Sequence, residues 1–264
     1  MTQHTEKPAQ IDTSRPHSAR FWNYLLDGKD HYLPDQELGD YIKEHHPVVV
    51  DAARASRRFL ARSVRHLVEE AGIRQFLDIG TGLPTANNTH EVAQRHAPES
   101  RIVYVDNDPV VLLHARALLT STPEGATAYV EADVAAPDLV LEKAAETLDF
   151  AQPVALMLLS MLGHVADPDE AAGLVQHYMS RLSSGSHLVV CDSIDSPEML
   201  AAQEEYAASG AVPYIVRTRE QIAATAAGLT ILPPGIGPVT EWHPDSSEEP
   251  LPSGDQYGFV ARKP

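Results

Sequence analysis

The spacing of apolar residues changes along this chain, and the change falls near Gly72. Before this glycine, Leu60, Val64 and Leu67 recur every three or four positions, which predicts one long helix over about residues 47–71. After it, short apolar runs alternate with helical patterns. We therefore expect a helical amino-terminal part, followed by a region in which strands and helices alternate.

Five apolar runs after Gly72 have the length of strands. They lie near residues 75–79, 102–106, 127–131, 154–159 and 187–192, and helical patterns separate them near residues 85–96, 109–120, 137–147 and 168–181. Strands that alternate with helices of this length predict a mostly parallel sheet with helices on both faces. The run at 154–159 is apolar throughout, as in a central strand that is buried on both sides.

The carboxyl-terminal part departs from this alternation. Thr218 and Gln221 have the spacing of a capping box, which predicts a helix over about residues 218–227. A strand near residues 229–232 follows, then a long proline-rich connection and a final apolar strand, YGFVARK. These two strands predict an antiparallel pair at the edge of the sheet, which would then have seven strands.

The amino-terminal part contains a polar segment and an aromatic one. Residues 1–15 have few apolar anchors, so we expect a mobile tail. The segment PHSARFWNYLLDGKDHY, which begins at Pro16, predicts a helix of a few turns that ends near Gly28. It is either an amphipathic helix packed on the domain or a cap that closes over a bound ligand. The expected organisation is a tail, a helical extension over 16–72 and an α/β domain over 73–264.

The long predicted helix also carries a basic stripe. Arg54, Arg58, Arg62 and Arg65 recur on the face opposite the apolar one. This face could receive an acidic substrate or partner, or it could be solvated and paired with local acids.

Composition narrows the classes of function. With 264 residues and 43% apolar content, the chain can bury a sizeable core. The formal net charge of −17 disfavours nucleic acid as the main partner, because phosphates are bound by surplus lysine and arginine. The single cysteine, Cys191, excludes an internal disulfide and fits a reducing compartment, and no run resembles a signal peptide or a membrane span. We expect a cytoplasmic protein that acts on a small molecule.

The strongest local signal is the stretch FLDIGTGLPTANN, which passes from a strand into a glycine-bearing turn and then opens a helix. It contains Asp78, Gly80 and Gly82 as Asp-x-Gly-x-Gly, and Asp106 ends the next strand. Ligands bind at the carboxyl ends of parallel strands, where Asp106 can accept hydrogen bonds from both hydroxyls of a ribose. A nicotinamide-binding turn fits less well, because its third glycine is replaced here by Thr85.

Taken together, these features resemble a class I S-adenosylmethionine (SAM) dependent methyltransferase. More closely, they resemble a bacterial family of SAM methyltransferases long catalogued as a domain of unknown function. The stretches that carry this resemblance are PHSARFWNYLLDGKDHY, FLDIGTGLPTANNTHEVAQ, VYVDNDPVVLLHARALL and PVALMLLSMLGHV. The resemblance runs from Pro16 to the end and implies a Rossmann-like fold, SAM as cofactor and S-adenosylhomocysteine as product.

The resemblance also implies which residues hold the amino-acid and ribose parts of SAM. Asp78, Gly80 and Gly82 would surround the amino-acid part, and Asp106 would bind the ribose. Pro84 stands where the usual class I turn has a third glycine, although the narrower family resembles this chain there.

Further implied contacts lie after the next strands. Asn107 would lie beside the adenine, Asp133 would face the adenine amino group, and Val134 would face the ring. Ser160, after the fourth strand, would lie near the methyl-donating region. The resemblance is looser at Gly163, where a histidine is common.

An acceptor atom that must lose a proton needs a nearby base. The candidates are His164, after the fourth strand, and His31 and Tyr24 in the possible cap. Each of them could instead have a structural role, such as capping a helix or bonding a loop. The histidine spacing suggests no metal site.

Three functions therefore stay open on the sequence. The first is a SAM-dependent methyltransferase acting on a small molecule. The second is a protein of the same fold that binds SAM or its demethylated product without catalysis, as a sensor or interaction module. The third, which the glycine turn fits less well, is a nicotinamide oxidoreductase. The oligomeric state does not follow from the sequence.

Overall fold

The computed structural model describes residues 12–118, 120–246, 249–252 and 254–264. Most of the tail predicted over residues 1–15 lies outside the described residues. In the described part of the chain, no helix is both long enough and apolar enough to cross a membrane.

Within the described residues, eight strands form one mixed sheet. They are β1 (Gln75–Ile79), β2 (Arg101–Asp106), β3 (Ala126–Glu131), β4 (Ala155–Leu159), β5 (His187–Ser193), β6 (Thr230–Ile231), β7 (Gly237–Pro238) and β8 (Gln256–Arg262). Their order is β3-β2-β1-β4-β5-β8-β6, and β7 also pairs with β8. The strands β1 to β5 are parallel, whereas β8 runs antiparallel to β5, β6 and β7.

Helices cover the sheet and form the amino-terminal extension. They are α1 (Ser18–Leu25), α2 (Leu33–His45), α3 (Pro47–Glu69), α4 (Thr89–His96), α5 (Pro109–Leu118), α6 (Pro137–Ala144), α7 (Pro168–Arg181), α8 (Pro197–Ala208) and α9 (Arg219–Ala224). A short 3-10 turn, Leu162–His164, follows β4.

The strand order creates a crevice. The chain passes outward from β1 to β3 and then returns to place β4 on the other side of β1. At such a reversal the connections leave the sheet in opposite directions, which opens a space beyond the carboxyl ends of the strands. The predicted α/β class, the parallel centre and the antiparallel pair at the edge are confirmed, with β8 lying between β5 and β6. The predicted number of seven strands was one too low for the described residues, because the long connection adds the two-residue strand β7.

Alternating residues of the central strands pack into two cores, one on each face. Leu156 and Leu158 of β4 belong to one core, and Ala155 and Met157 belong to the other. All four are at most 1% exposed. This confirms the prediction of a central strand that is buried on both sides. Cys191 of β5, which has a free thiol, is also fully buried.

The long helix α3 shares a core with the sheet. Phe59, Val64 and Leu67 of α3 pack in the same cluster as Phe76 of β1 and Trp242 of the carboxyl-terminal connection. The amino-terminal extension is therefore built onto the sheet through α3, along the apolar face that the spacing predicts.

The arginine stripe of α3 is partly covered by other segments. Arg62 is only 5% exposed, and its guanidinium donates to the carbonyl oxygens of Val239 at 2.6 Å and Trp242 at 2.9 Å. Arg65 lies 3.1 Å from the Asp245 carboxylate. The same face also includes Arg58, which bonds the carbonyl of Glu249, and Arg54, which lies 3.5 Å from Asp27. The carboxyl-terminal connection therefore covers much of the stripe.

Some boundaries differ from the sequence expectation. The apolar pattern does not predict α2 and α8, because each buries only a few residues along a narrow face. The helix expected from residue 85 begins at Thr89. Asn88 caps that helix: its side-chain oxygen accepts from the Thr85 amide at 3.1 Å, and the Glu91 carboxylate accepts from the Asn88 amide at 3.0 Å. A turn therefore occupies residues 85–88.

Candidate active site

A cavity of about 420 Å³ lies at the carboxyl ends of β1, β2, β3 and β4. Its floor is formed by the residues that follow these strands, and α1 and α3 form the opposite wall. The predicted cofactor residues that line it are Asp78, Gly80, Gly82, Asp106, Asn107, Asp133, Val134 and Ser160. The fold therefore brings together eight positions from four separate segments of the sequence.

The turn after β1 approaches the strand-end residues closely. Gly80 has a φ of 74° and Gly82 a φ of 64°, backbone conformations that favour glycine. A Cβ on Gly80 would lie 2.7 Å from the Cβ of Met161, so a side chain there would also collide. Asp78, at the start of the turn, is 4% exposed and accepts a hydrogen bond from Thr89 Oγ1 at 2.6 Å. Burial raises the pKa of Asp78 to about 6.

Asp106 binds the same turn from the neighbouring strand. One carboxylate oxygen accepts from the Gly82 amide at 2.9 Å, and the other accepts from the Asp108 amide at 2.9 Å. The side chain lines the cavity although the residue is only 8% exposed. Burial raises the pKa of Asp106 to about 6, although hydrogen bonds from backbone amides to the carboxylate lower it. Each oxygen keeps a lone pair for further donors.

Two polar side chains follow β2 and β3 at the far end of the cavity. Asn107 Nδ2 donates to Asp133 Oδ2 at 3.1 Å, and the other Asp133 oxygen accepts from the Ala135 amide at 2.8 Å. Val134, which follows Asp133 in the chain, also lines the cavity and is 9% exposed. This end of the cavity therefore combines an amide, a carboxylate and an apolar surface.

Arg57 is a cavity residue that the sequence pattern does not single out. It lies on α3, where Ala53, Ser56 and Leu60 also face the cavity. Its Nη2 donates to the carbonyl oxygens of Ala86 at 3.0 Å and Asn87 at 3.3 Å, whereas its buried Nε has no hydrogen-bond partner among the described residues. Burial lowers the pKa of Arg57 and the nearby Asp78 carboxylate raises it.

Ser160 turns the chain away from β4 into the cavity. It has a φ of 53°, in the left-handed region. Its hydroxyl donates to Ser56 Oγ at 3.1 Å and accepts from Gln256 Nε2 at 2.8 Å. The side chain is thus held between α3 and β8 at the edge of the cavity.

His164 lines the cavity with its tautomer fixed. Its Nδ1 lies 3.0 Å from the carbonyl oxygen of Pro213, which can only accept, so Nδ1 carries the hydrogen. Burial lowers the pKa of His164, and the ring is therefore neutral near pH 7. In that form Nε2 has a free lone pair.

The turn that carries His164 is anchored by the segment before α9. Arg217, 2% exposed, donates to the carbonyl oxygen of Leu162 at 2.7 Å and to that of Val165. The Ile215 amide donates to the Gly163 carbonyl at 2.8 Å. A Cβ on Gly163 would lie 2.6 Å from the ring of Tyr214, so this packing leaves no room for a side chain there.

The helix α1 lies over the cavity with one face and packs on α2 and α8 with another. Its cavity-lining residues, with the residue before the helix and the one after it, are His17, Ser18, Ala19, Trp22, Asn23 and Leu26. Phe21 and Leu25 pack on the opposite side with residues of α2, α3 and α8. The helix is therefore both packed on the domain and positioned over the cavity, as a cap would be. The aromatic spacing does not reveal which residues face which way.

Three sequence candidates lie outside the cavity lining. Tyr24 bonds Asp40 and carries the Lys43 ammonium 3.9 Å from its ring centre, and the bond to Asp40 raises the pKa of Tyr24 to about 12. His31 packs edge-on against Tyr24, with 4.8 Å between ring centres. Pro84 belongs to the turn but does not border the cavity. Of the three proposed bases, only His164 borders the cavity.

In the part of the chain that the structure describes, no three His, Cys, Asp or Glu side chains converge to hold a metal ion.

Comparison with known proteins gives a family. A family model described as S-adenosyl methyltransferase matches residues 4–264. A search of curated proteins found no match.

Two solved structures are similar over almost their full length. A DUF574 family protein from Streptomyces avermitilis is 44% identical, with a TM-score of 0.91, and the alignment covers 97% of this chain and 100% of that one. A Thermobifida fusca protein named as a candidate methyltransferase is 37% identical, with a TM-score of 0.88 and coverage of 98% and 99%.

A more distant structure shares the fold. The mitomycin 7-O-methyltransferase MmcR is 16% identical, with a TM-score of 0.50, and the alignment covers 93% of this chain and 68% of that one. The family match and the two relatives above 30% identity show that this chain belongs to the S-adenosyl methyltransferase family, whose cofactor is S-adenosylmethionine.

Proposed function

We propose that this chain transfers the methyl group of SAM, by in-line displacement, to an oxygen or nitrogen atom of a small-molecule acceptor. The observation that carries the proposal is one cavity bordered both by the strand-end acids and by His164. Bound SAM supplies a methyl group on a positively charged sulfur, so the protein mainly has to bind, orient and exclude water. Correct positioning alone can contribute on the order of 7–11 kcal/mol.

The charges near the glycine turn fit the amino-acid part of the cofactor. Asp78 and Arg57 both line the cavity and interact electrostatically. The acid would accept from the ammonium group, and the guanidinium would donate to the carboxylate, so that a zwitterion meets both its opposite charges. The free Nε–H of Arg57 supports this assignment, because a buried donor without a partner costs free energy.

The other end of the cavity fits an adenosine. Asp106 keeps acceptor capacity on both oxygens and would bind the two ribose hydroxyls, relieving the cost of a buried carboxylate. Asn107 and Asp133 would bind the polar edge of the adenine, with Val134 against the ring. Gly82, which has open space where a side chain would stand, allows the cofactor to approach the backbone.

His164 is the residue that we assign as the base. No described residue bonds its Nε2, burial lowers its pKa so that the ring is neutral near pH 7, and Nδ1 is fixed by the Pro213 carbonyl. It would take the proton from the acceptor as the methyl group moves, an effect normally worth about 100- to 10,000-fold in rate. Ser160 and Trp22 also line the cavity and would limit how the acceptor enters.

The size of the cavity and the charge of the protein favour a small acceptor. About 420 Å³ lies within the usual range for small-ligand sites, roughly 300–1,000 Å³. The net charge of −17 repels nucleic acid. Together they support a small molecule over a polymer as acceptor.

Two measurements test this function. Calorimetry with SAM, S-adenosylhomocysteine and NAD should show binding of the first two, and binding of NAD alone would contradict the proposal. Methyl-labelled SAM, incubated with the protein and a cell extract, should then label the low-molecular-weight fraction. Label in protein or nucleic acid instead would refute the small-molecule acceptor, and SAM binding without any labelled product would indicate a non-catalytic binding protein. The variant His164→Ala is the matched control for enzymatic transfer.

A further inference from the structure

A second, smaller cavity lies behind the wall that Trp22 and His164 form, since both residues line both spaces. We call it the side pocket. It is bordered by α1, α2, α3 and α8 and by residues 214–216, and it is partly open. The volume open to the centre of a water-sized sphere is about 50 Å³, whereas one water needs roughly 10–15 Å³ by this measure.

The walls of the side pocket are apolar. Phe21, Met199 and Ala202 are each at most 4% exposed and border it directly. Two polar residues of the wall, Gln203 and Tyr214, are bonded within the protein. Gln203 Oε1 accepts from the Val216 amide at 2.7 Å, and the Tyr214 hydroxyl donates to Asp192. Water would find few partners there, so an apolar group of several heavy atoms is the favoured occupant.

Tyr206 is the exception in this wall. The residue is 7% exposed, and its hydroxyl has no hydrogen-bond partner among the described residues. A buried hydroxyl in this state costs free energy that a partner would recover. An occupant with a polar atom near Tyr206 would provide that partner.

We propose that the side pocket receives the apolar ring of the methyl acceptor. This inference rests on the proposed function, because it assigns His164 as the base. The ring would lie against Phe21 and Ala202, and its hydroxyl or amine would reach Nε2 of His164, which borders both spaces. A second polar atom on the ring would bond the hydroxyl of Tyr206. The acceptor class is thus a small aromatic hydroxyl or amino compound with a further polar substituent.

Phenol tests the apolar part of this assignment. Its binding to the protein saturated with S-adenosylhomocysteine is measured by calorimetry or saturation-transfer NMR, with glycerol as a polar comparison. The variant Ala202→Met fills the side pocket with a flexible side chain and should weaken phenol binding roughly tenfold. Ala201→Met, on the exposed face of the same helix, should leave it unchanged.

Hydroquinone, kept under nitrogen, tests the role of Tyr206. Its second hydroxyl should make it bind more tightly than phenol to the native protein. In Tyr206→Phe this preference should disappear, while phenol itself binds as before. A purely structural role of Tyr206 would weaken both ligands equally, and that result would overturn its assignment.

The outcomes separate this inference from the proposed function. Equal phenol binding in Ala202→Met and the native protein, or no phenol binding to the native protein, would overturn the side pocket as an acceptor site. Each variant should bind S-adenosylhomocysteine with native affinity, which shows that it is folded. If the native protein itself does not bind S-adenosylhomocysteine, that result counts against the proposed function instead.

Discussion

The backbone amide of Gly82 donates to a carboxylate oxygen of Asp106 at 2.9 Å, joining the turn after β1 to the end of β2. The bond connects the two halves of the sequence fingerprint, which lie 24 residues apart. Asp106 thus fixes the turn and borders the cavity at the same time. Substitution of Asp106 should therefore affect the cofactor site directly.

Replacing Asp106 with alanine should weaken SAM binding by at least about tenfold, because a charge-assisted acceptor for the ribose is lost. The protein should remain folded, since the carboxylate is buried at an energetic cost and only two backbone hydrogen bonds depend on it. Calorimetry gives the affinity and circular dichroism the fold. The control is Asp138→Ala, an exposed acid on α6 that pairs with His177 and Arg181. Unchanged affinity in Asp106→Ala would exclude Asp106 from the site.

SAM affinity should depend on pH below neutrality. The pKa of Asp106 in the free protein is about 6, and that of Asp78 is also about 6. Hydrogen bonds from the ligand favour the ionised carboxylate, so binding releases protons and strengthens as pH rises. Affinity at pH 5 should be at least about tenfold weaker than at pH 7.5 and level above pH 7. Asp106→Asn should reduce this ratio, and a flat profile in the native protein would contradict the assignment.

The same raised pKa has the opposite sign for folding. An unfolded aspartate has a pKa of about 3.9, so between roughly pH 4 and 6 the folded Asp106 holds a proton that the unfolded chain has lost. Its contribution to stability is therefore present below pH 4 and is lost as pH rises through 6. Urea unfolding should show that Asp106→Asn gains stability relative to the native protein between pH 4 and 7. No relative gain would show that burial does not raise this pKa.

His164→Ala should separate catalysis from binding. Turnover should fall by about 100- to 10,000-fold for an acceptor that must lose a proton. SAM affinity should stay within about twofold, because His164 is assigned to the acceptor and not to the cofactor. The acid limb of the native pH–rate profile should lie below the ordinary histidine pKa of about 6.5, since burial lowers the pKa of His164. Full activity in the alanine variant would remove this residue as the base.

Replacing Arg57 should weaken the binding of ligands that carry the amino-acid carboxylate more than the binding of ligands that lack it. Arg57→Met should weaken S-adenosylhomocysteine roughly tenfold, because a charge-assisted bond is lost. Methylthioadenosine, which has no amino-acid part, serves as the control ligand. It should lose much less affinity, and the ratio of the two losses isolates the carboxylate contact from any loosening of the turn at Ala86 and Asn87. Equal losses for both ligands would assign Arg57 to the turn alone.

The arginine stripe of α3 should divide into structural and dispensable positions. Arg62→Ala leaves the carbonyls of Val239 and Trp242 without their buried donor and should destabilise the protein by about 2–4 kcal/mol. Arg54→Ala removes an exposed side chain 3.5 Å from Asp27 and should cost less than about 1 kcal/mol. Urea unfolding measures both. Similar small effects would mean that Arg62 contributes no more than a solvated arginine.

Patterns within short stretches determined the fold class and the cofactor. Apolar runs of strand length and of helix length can be told apart because side chains repeat with different periods in strands and in helices. Their alternation predicted the parallel sheet, since a helix that crosses between two neighbouring strands makes those strands parallel. The fingerprint from Asp78 to Asp106 predicted the cavity edge, because strand ends carry their residues to one side of the sheet. The family and its cofactor are confirmed by the comparisons.

The wall opposite the strand ends was decided by tertiary packing. Arg57 and Arg58 are neighbours in sequence, yet successive helical residues point about 100° apart, so one borders the cavity and the other meets the carboxyl-terminal connection. Which face of α3 meets which neighbour depends on how the helix docks on the sheet. The spacing of residues within the helix does not determine which of its faces contacts the cavity.

The position of His164 on the cavity and the side pocket both depend on contacts between distant segments. His164, His31 and Tyr24 were equal candidates in the sequence, and the packing of α1 leaves only His164 on the cavity. The side pocket exists because α1, α2 and α8 meet without filling the space between them. Local periodicity therefore predicted which residues stand at the strand ends. The acceptor side of the cavity depends on how helices dock in three dimensions, because contact between remote side chains leaves no local pattern.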